Sequence, residues 1–408
     1  MSMQEEFYRI GRLPPYVFAE VGKMKAAARA SGHDIIDFGM GNPDSQPPKH
    51  VLDKVTETLK DPKASRYSLS RGIFGLRKAQ AAYYQRRFGV ELDPDSEVVV
   101  TIGSKEGLAN LAQAITGPGD CFVVPDPSYP IHVWGFVIAG AQVLSIPNAP
   151  NSPDFFPNLK RCIEIAPKKP VAVIVNYPCN PTAETVALDF YEQVVDICRH
   201  YGIYVISDLA YNELYFDGNP PPSILQVKGA KDVAVEFTTV SKTYSMAGWR
   251  IGFCVGNKTL VAALTKLKSY LDYGTFLPVQ VAAAAAINGP QDYVDSMRKL
   301  YKERRDVLVS GLIDAGWDNI TSPSASMFLW APLPKAYAHL GCLEFSKLLL
   351  QHADVAVAPG IGFGPGGEGY VRMALVENKH RIRQAVRGIK EFLAQDPGHN
   401  LKALEKAV

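Results

Sequence analysis

A lysine and an arginine stand close together in the segment TVSKTYSMAGWRIGF, residues 239–253. Lys242 follows a β-branched run typical of a strand, and Arg250 comes eight positions later. Two cations this close repel each other unless an anion lies between them or one of them is uncharged. A neutral amine can form a Schiff base with an aldehyde, and a guanidinium is well suited to bind phosphate. The pair therefore points to a reactive lysine, an anion site, or both.

Other polar side chains follow three further strand-like runs. The runs are VVVTI (98–102), VAVIVN (171–176) and YVIS (204–207). The polar residues that follow them are Ser104, Lys105, Asn180, Asp208 and Tyr211. In an open parallel sheet, ligands bind beyond the carboxyl ends of the strands. We therefore expect these side chains to share one rim of a sheet with Lys242.

Each residue taken singly has an ordinary structural explanation. The alternatives are a helix cap for Ser104, a turn for Asn180 and Pro181, a cap for Asp208, a solvated position for Lys242, and stacking on Trp249 or a carboxylate partner for Arg250. None of them accounts for polar groups at four strand ends together. Pyridoxal 5′-phosphate does, because it offers an aldehyde to a lysine, a ring nitrogen to a carboxylate, and a phosphate to an arginine and a helix N-terminus.

Composition narrows the class of protein. The 408 residues carry 43 basic and 41 acidic side chains, a net charge of +2, with no long run of either sign. This balance argues against nucleic acid or an anionic membrane as a partner. The six cysteines form no CxxC pair, the N-terminus has no apolar region of the signal-peptide type, and no apolar run is long enough to span a membrane. We expect a soluble, cytoplasmic protein, and we predict no metal site.

The order of apolar patterns predicts an α/β architecture. Strand-like runs at 97–102, 121–125, 171–176, 203–207 and 233–240 alternate with amphipathic helical patterns. Such alternation favours a mostly parallel sheet with helices on both faces. Near Pro278 the pattern changes to that of a smaller α+β domain. We predict an N-terminal arm with part of the small domain at 1–45, a large domain at 46–288, and a small C-terminal domain at 289–408.

One motif suggests a different function. The glycines of GFGPGG, residues 362–367, match the G-x-G-x-x-G pattern of dinucleotide-binding sites. That site requires a helix directly after the glycines. The next residues, EGYVRMAL, have the pattern of a strand, so we interpret the glycines as a flexible connecting loop and reject a dehydrogenase.

Motifs along the whole chain resemble one enzyme family. The segments GNPD, GSKEG, NPT, SDLAY and SKTYSMAGWRIGF occur in the order found in the class I/II aminotransferases, the fold-type I pyridoxal-phosphate enzymes. Five further segments are more similar still to bacterial glutamate–pyruvate (alanine) aminotransferases, relatives of the LL-diaminopimelate aminotransferases. Their sequences are RLPPYVF, DIIDFGMGNPD, YSLSRGI, PSYPIHVWGFVIAGAQV and KSYLDYGTF. The resemblance implies a large domain with a seven-stranded, mostly parallel sheet flanked by helices, plus a smaller α+β domain.

The resemblance also assigns cofactor contacts. It implies that Lys242 forms the Schiff base and later shuttles a proton, and that Asp208 pairs with the ring nitrogen. The other cofactor contacts it implies are Asn180 and Tyr211 to the phenolic oxygen, Tyr129 stacked on the ring, and Ser104, Lys105, Ser241 and Arg250 around the phosphate. Tyr67 would reach the phosphate of the neighbouring subunit, so a homodimer with shared active sites is implied.

For the substrate, the resemblance implies that Arg372 clamps the α-carboxylate. Gly41 and Asn42 would line the same pocket. Tyr16 and Tyr273 are candidates either to narrow the pocket or simply to pack, and Arg71 and Lys105 are possible partners of a second carboxylate.

The implied reaction is ping-pong transfer of an amino group between an L-amino acid and a 2-oxo acid. Alanine/pyruvate with glutamate/2-oxoglutarate fits the resemblance best. The alternatives are another substrate (LL-diaminopimelate, aspartate, methionine or an aromatic amino acid), a carbon–sulfur β-lyase on the same scaffold, and a regulator that binds the cofactor without catalysis.

Overall fold

The computed structural model describes residues 7–395, so the ends of the predicted ranges 1–45 and 289–408 lie outside the described residues. The helices are α1 Tyr8–Gly11, α2 Val17–Ala30, α3 Lys49–Leu59, α4 Phe74–Phe88, α5 Ser104–Ile115, α6 Ile131–Ala139, α7 Phe155–Ile165, α8 Leu188–Tyr201, α9 Val240–Thr243, α10 Lys258–Leu271, α11 Leu277–Asn288, α12 Asp292–Asp314, α13 Cys342–Ala353 and α14 Lys379–Leu393. The strands are β1 Ile36–Asp37, β2 Val98–Thr101, β3 Cys121–Asp126, β4 Gln142–Pro147, β5 Ala172–Val175, β6 Tyr204–Asp208, β7 Ala234–Thr239, β8 Gly252–Gly256, β9 Phe328–Pro332, β10 Val355–Ala356, β11 Ala358–Pro359 and β12 Tyr370–Ala374.

A seven-stranded sheet forms the centre of what we call the large domain. Its strand order is β2-β8-β7-β6-β5-β3-β4. Strands β4, β3, β5, β6 and β7 run parallel, and β8 is antiparallel to both of its neighbours. The central strands are buried almost throughout, as expected for β-branched runs covered by helices on both faces. The predicted mostly parallel, helix-flanked sheet is confirmed.

Two strands of this sheet are absent from the runs identified in the sequence. Strand β4 lies at the edge, and only Ile146 among its six residues is buried, so it lacks a continuous apolar signal. Strand β8 begins and ends with glycine, which is a weak strand former. A Cβ on Gly252 would lie 2.6 Å from the Ser104 main-chain nitrogen, so the first glycine permits a close approach to the start of α5.

The small domain, as we use the term, comprises the antiparallel sheet β11-β12-β9 with helices α12, α13 and α14. Its core includes Trp317, Phe345 and Phe392. The N-terminal part of the chain joins it, because β1 pairs with β10 in parallel and Phe38 accepts a main-chain hydrogen bond from Ala374. The boundaries at residues 45 and 288 stay a prediction.

The glycine loop, Gly360–Gly367, contains two single-turn 3₁₀ segments and leads into β12. A strand therefore follows the glycines, as the sequence pattern predicts, and the arrangement lacks the helix that a dinucleotide site needs. Among residues 7–395, no helix combines the length and the apolar character needed to cross a membrane.

Candidate active site

Lys242 lies in α9, the short helix that follows β7. Thr239 caps this helix, since its side chain accepts a hydrogen bond from the main chain two residues on. The Lys242 ammonium nitrogen lies 2.7 Å from the Gly41 carbonyl oxygen. Burial, together with the charges of Arg372 and Arg250, lowers the pKa of Lys242 to about 8. The unprotonated amine is therefore far more available near neutral pH than that of an ordinary lysine.

Asp208 is the last residue of β6, at the carboxyl end of the sheet. Its Oδ2 lies 2.9 Å from Nε2 of His132, which lies in the first turn of α6. Its Oδ1 is buried and has no hydrogen-bond partner among the described residues. A buried carboxylate oxygen without a donor suits a ligand that brings its own N–H. This is the part that a protonated ring nitrogen would play.

Asn180 and Tyr211 lie beside each other, with 3.5 Å between the Asn180 amide nitrogen and the Tyr211 hydroxyl. The side-chain oxygen Oδ1 of Asn180 accepts a 2.7 Å hydrogen bond from Arg372. Asn176 holds the Asn180 loop, because its side-chain oxygen accepts from the Asn180 main-chain N–H at 2.9 Å. Burial raises the pKa of Tyr211 well above its usual range. The phenol is therefore neutral and can donate a hydrogen bond.

Arg372 projects from β12 into the same region. One terminal nitrogen donates to Asn180 and the other donates to the Gly39 carbonyl oxygen at 3.0 Å. The guanidinium carbon lies 4.1 Å from the centre of the Phe328 ring and 4.6 Å from that of Phe363. Burial lowers the pKa of Arg372 to about 10, so it stays a cation at neutral pH. A buried cation between two aromatic rings is well placed to take a carboxylate.

Arg250 lies against the turn that precedes α5. Its Nη1 donates to the Ala247 carbonyl oxygen at 2.8 Å. Gly103 has a φ of +79°, and a Cβ there would lie 2.1 Å from Arg250 Nη2. The turn thus combines two properties that only glycine supplies together, a left-handed conformation and room for a guanidinium. A cationic cradle is formed next to the N-terminus of a helix, where main-chain N–H groups favour anions.

Three further residues are predicted phosphate ligands. Ser104 is the first residue of α5. The Ser241 hydroxyl accepts a hydrogen bond from the Thr239 hydroxyl at 2.7 Å. The Lys105 ammonium lies 5.9 Å from the centre of the Tyr129 ring, so the phosphate region adjoins the predicted stacking residue. Asp208 Oδ1 and the Gly103 cradle together fit the ring nitrogen and the phosphate of pyridoxal phosphate.

Other predicted residues are exposed in the single chain. Tyr67 is 86% exposed and its ring lies 4.6 Å from that of Tyr273, which is 65% exposed. Tyr16 is 62% exposed and contacts Phe18 edge to face at 5.3 Å. The guanidinium of Arg71 contacts Asp95, through its main-chain oxygen and its carboxylate, rather than a residue of the site described above.

The main chain of residues 39–42 passes close to both Arg372 and Lys242. The Gly41 carbonyl faces Lys242, and a Cβ on Gly41 would lie 2.6 Å from the Phe328 ring. Asn42 donates its main-chain N–H to Met40 at 2.9 Å, which fixes the turn. The glycine therefore allows the chain to pass close to the aromatic ring that covers Arg372.

The family described as "Aminotransferase class I and II" matches residues 33–389. The chain belongs to the class I and II aminotransferases. It is 54% identical over 393 residues to the glutamate–pyruvate aminotransferase AlaC of Escherichia coli K12, which covers 96% of this chain and 95% of that protein. It is 43% identical over 390 residues to an LL-diaminopimelate aminotransferase of Desulforudis audaxviator, covering 96% and 98% of the two chains.

Solved structures of this family have the same fold. A single mutant of the Thermus thermophilus aspartate aminotransferase superposes with a TM-score of 0.88 at 26% identity, covering 96% of this chain and 100% of that one. The expected fold-type I architecture is confirmed.

This aminotransferase has three pocket residues that the sequence reasoning missed: His132, Phe328 and Phe363. His132 follows Tyr129 by three positions and donates its main-chain N–H to the Tyr129 carbonyl oxygen at 2.9 Å, so its short distance in sequence from a predicted cofactor contact was the available signal. The two phenylalanines lie in the small domain, far in sequence from the strand ends, and no local pattern distinguishes them from core residues.

Proposed function

We propose that this aminotransferase is a pyridoxal-phosphate enzyme that exchanges the amino group of alanine with that of glutamate through their 2-oxo acids. One observation carries the proposal: Asp208, with its free buried oxygen, ends β6, and Lys242, with its lowered pKa, lies in α9 directly after the adjacent strand β7. The substrate pair follows from the similarity to the glutamate–pyruvate aminotransferase AlaC.

The residues present would hold the cofactor at three points. Asp208 would accept from the ring nitrogen, Asn180 and Tyr211 would face the phenolic oxygen, and Tyr129 would stack on the ring. Arg250, Ser104, Ser241 and Lys105 would surround the phosphate. When bound, pyridoxal phosphate supplies an electron sink for the pair of electrons left by Cα–H cleavage.

The chain's own groups perform the remaining work. The Lys242 amine would take the proton from the substrate Cα as general base. It would then give this proton to the former aldehyde carbon of the cofactor as general acid. Arg372 binds the α-carboxylate through two parallel hydrogen bonds and so fixes the orientation of the Cα–H bond. His132 holds Asp208 Oδ2 at 2.9 Å, which leaves the other carboxylate oxygen as the one that would accept from the ring nitrogen of the cofactor. Ping-pong kinetics follow from one site that serves both substrates in turn.

Walls of the substrate pocket are the candidates for side-chain selection. Tyr16 reaches the glycine loop through Phe18, whose ring lies 5.1 Å from that of Phe363. Tyr16, Tyr273, Gly41 and Asn42 would together leave room for the methyl group of alanine and, in the second half-reaction, for the longer chain of glutamate. Lys105 and Arg71 are the candidate partners of the distal carboxylate.

A homodimer with shared sites is part of the proposal. The support is an exposed aromatic and apolar group around residues 67–74 and 270–276, which includes Tyr67, Leu69, Phe74, Tyr270, Tyr273 and Phe276. Surface of this kind is typical of subunit interfaces. Tyr67 would reach the phosphate bound by the partner.

Complementation tests the shared site. Lys242→Ala and Tyr67→Ala subunits, each of low activity alone, are mixed and allowed to exchange. A mixed dimer contains one intact site, so activity should recover to about a quarter of the wild-type level if subunits assort at random. No recovery in a mixture shown to contain mixed dimers would contradict sharing of Tyr67.

We also propose a cytoplasmic location. All six cysteines are free thiols and five of them are buried, which suits a reducing compartment. Fractionation of the source cells, with detection of the protein in each fraction, would test this location.

A panel of half-reactions tests the proposed substrates. The pyridoxal form is mixed with alanine, glutamate, aspartate, methionine, phenylalanine or LL-diaminopimelate, and loss of its absorbance is followed. We expect alanine and glutamate to react with the highest kcat/KM.

LL-diaminopimelate is the second candidate substrate because of the 43% identical relative. If the enzyme prefers LL-diaminopimelate, this substrate replaces alanine in the proposed function. Pyruvate and ammonia released from a cysteine conjugate without an acceptor would instead indicate a β-lyase. Lys242→Ala is the control, and should react with none of them.

A further inference from the structure

Asp126 joins the large domain to the glycine loop. It is the last residue of β3, and its Oδ2 accepts a hydrogen bond from the Gly366 main-chain N–H at 2.8 Å. Two residues on, the Ser128 N–H donates to the Phe363 carbonyl oxygen at 2.8 Å. A Cβ on Gly364 would lie 1.9 Å from Asp126 Oδ1, so the loop fits directly against the carboxylate. We call this junction the Asp126 clasp.

The glycine loop reaches the substrate arginine through one side chain. The Phe363 ring lies 4.6 Å from the Arg372 guanidinium carbon, which Phe328 faces at 4.1 Å. Phe363 also contacts the Phe18 ring at 5.1 Å. The position of Phe363 therefore decides how the guanidinium is enclosed, and the clasp fixes the main chain at Phe363 and on its C-terminal side.

The domain boundary beside the clasp is open. A cleft of about 780 Å³ separates the large domain at Asn148 and Thr182 from the small domain at Ser324 and Trp330. Gly366 lines this cleft, so the side of Gly366 that faces the cleft is not packed, and its main-chain N–H is held by the Asp126 carboxylate. Loss of the Asp126 carboxylate should therefore displace the main chain of the glycine loop.

We propose that Asp126 is a positioning residue for transamination: by seating the glycine loop it keeps Phe363 against Arg372 and so preorganises the guanidinium for the substrate α-carboxylate. The proposal rests on the function proposed above, because it assigns the carboxylate to Arg372. Asp126 itself touches neither the amine of Lys242 nor the phosphate cradle in the described contacts. Its effect should therefore appear in carboxylate binding rather than in cofactor binding.

Steady-state kinetics of the holoenzyme separate this role from a purely structural one. Asp126→Ala should raise KM for alanine and for 2-oxoglutarate by the same factor, roughly five- to tenfold, since one hydrogen bond to a carboxylate is lost. The turnover number should change by less than about twofold, because the proton-transfer groups are untouched. Asp126→Asn should restore most of the affinity, since its carbonyl oxygen can still accept from Gly366.

A double-mutant cycle tests the path through Phe363. Phe363→Leu keeps apolar volume but removes the ring from Arg372. If Asp126 acts through that ring, adding Asp126→Ala to Phe363→Leu should raise KM by less than about twofold further. If the double variant instead raises KM by the product of the two single-variant factors, Asp126 does not act through Phe363. An Asp126→Ala enzyme with unchanged KM and only a lower thermal midpoint would also overturn the proposal.

A binding measurement makes the inference independent of turnover. Propanoate has the α-carboxylate of alanine but no amino group, and its dissociation constant is measured from the change in cofactor absorbance of the holoenzyme. Asp126→Ala should weaken propanoate by the same factor as KM and leave the dissociation constant of pyridoxal phosphate unchanged. If Asp126→Ala weakens propanoate binding but the wild-type enzyme does not transaminate, the proposed function alone is refuted. If the wild-type enzyme transaminates and Asp126→Ala binds propanoate normally, the role of Asp126 alone is refuted. Should Asp126→Ala not fold, Asp126→Ser serves in its place, since its hydroxyl is too short to reach Gly366.

Discussion

His132 Nε2 lies 2.9 Å from Asp208 Oδ2, and the other carboxylate oxygen of Asp208 is buried without a partner among residues 7–395. The histidine thus fixes which oxygen is left for a ligand. A carboxylate held on one side only can present its second oxygen in one direction. The relation between these two side chains sets the geometry at the base of the pocket.

His132→Phe should weaken cofactor binding. The substitution keeps a ring in the helix but leaves Asp208 Oδ2 without its donor, so the carboxylate is free to rotate. We expect the dissociation constant of pyridoxal phosphate to rise about tenfold, as for the loss of a hydrogen bond to a charged group. Absorbance titration of the apoenzyme measures it. His200→Phe, an exposed histidine that contacts Tyr201 edge to face, is the control and should have no effect. Equal affinity in the His132 variant would contradict this account.

Gly103→Ala should damage the phosphate cradle. The new Cβ would lie 2.1 Å from Arg250 Nη2, so the guanidinium must move away. Gly119→Ala is a matched control, because Gly119 has a similar φ of +75° but a Cβ there meets nothing within 4 Å. Both variants should lose about 1 kcal/mol of stability from backbone strain. Only Gly103→Ala should also release pyridoxal phosphate more readily. Similar cofactor affinity in the two would show that the contact with Arg250 does not matter.

Lys242→Met should stabilise the apoenzyme near neutral pH. The pKa of Lys242 is about 8 in the folded chain against 10.5 for an ordinary lysine, so the unfolded chain binds more protons between these values. Wild-type stability therefore rises with pH over this window. Methionine lacks this penalty, and its advantage at pH 7 should be about 2 kcal/mol after the lost hydrogen bond to Gly41 is deducted.

The same comparison at higher pH provides the check. The advantage of Lys242→Met should shrink as the pH rises from about 8 and should vanish at about pH 9.5, where deprotonation has returned about 2 kcal/mol to the wild type, as measured by urea unfolding of both apoproteins. A difference in unfolding free energy that is independent of pH would mean that the amine carries an ordinary pKa.

Arg372→Lys should cost catalysis more than stability. An ammonium cannot form two parallel hydrogen bonds with a carboxylate, so kcat/KM for alanine should fall about a hundredfold. Arg305→Lys is the matched control. Arg305 is 5% exposed against 6% for Arg372, and it also lies over an aromatic ring, at 4.9 Å from the centre of Phe216. It should lower the melting temperature without changing kcat/KM. A similar kinetic loss in both variants would point to a general packing defect.

Much of the site was accessible from the sequence because of where its residues fall. Asp208 ends β6 and Lys242 follows the end of β7 by three residues. The apolar runs of both strands are plain, and parallel strands bring their carboxyl ends together. Phe363 was not accessible in this way. It reaches Arg372 only because the glycine loop packs against Asp126, more than two hundred residues earlier in the chain. A pattern of neighbours in sequence carries no information on such a contact.

The side-chain amide of Asn180 faces two tasks at once. Its nitrogen lies 3.5 Å from the Tyr211 hydroxyl, where it would also face the phenolic oxygen of the proposed cofactor, and its oxygen accepts a hydrogen bond from Arg372 at 2.7 Å. Anyone who redesigns this enzyme for a new amino acid by moving the arginine would therefore also disturb the electronic environment of the ring. Tyr16 and Tyr273, the proposed outer walls, make no such contact with Asn180 in the described residues, so directed evolution toward new substrates should find its first useful changes there.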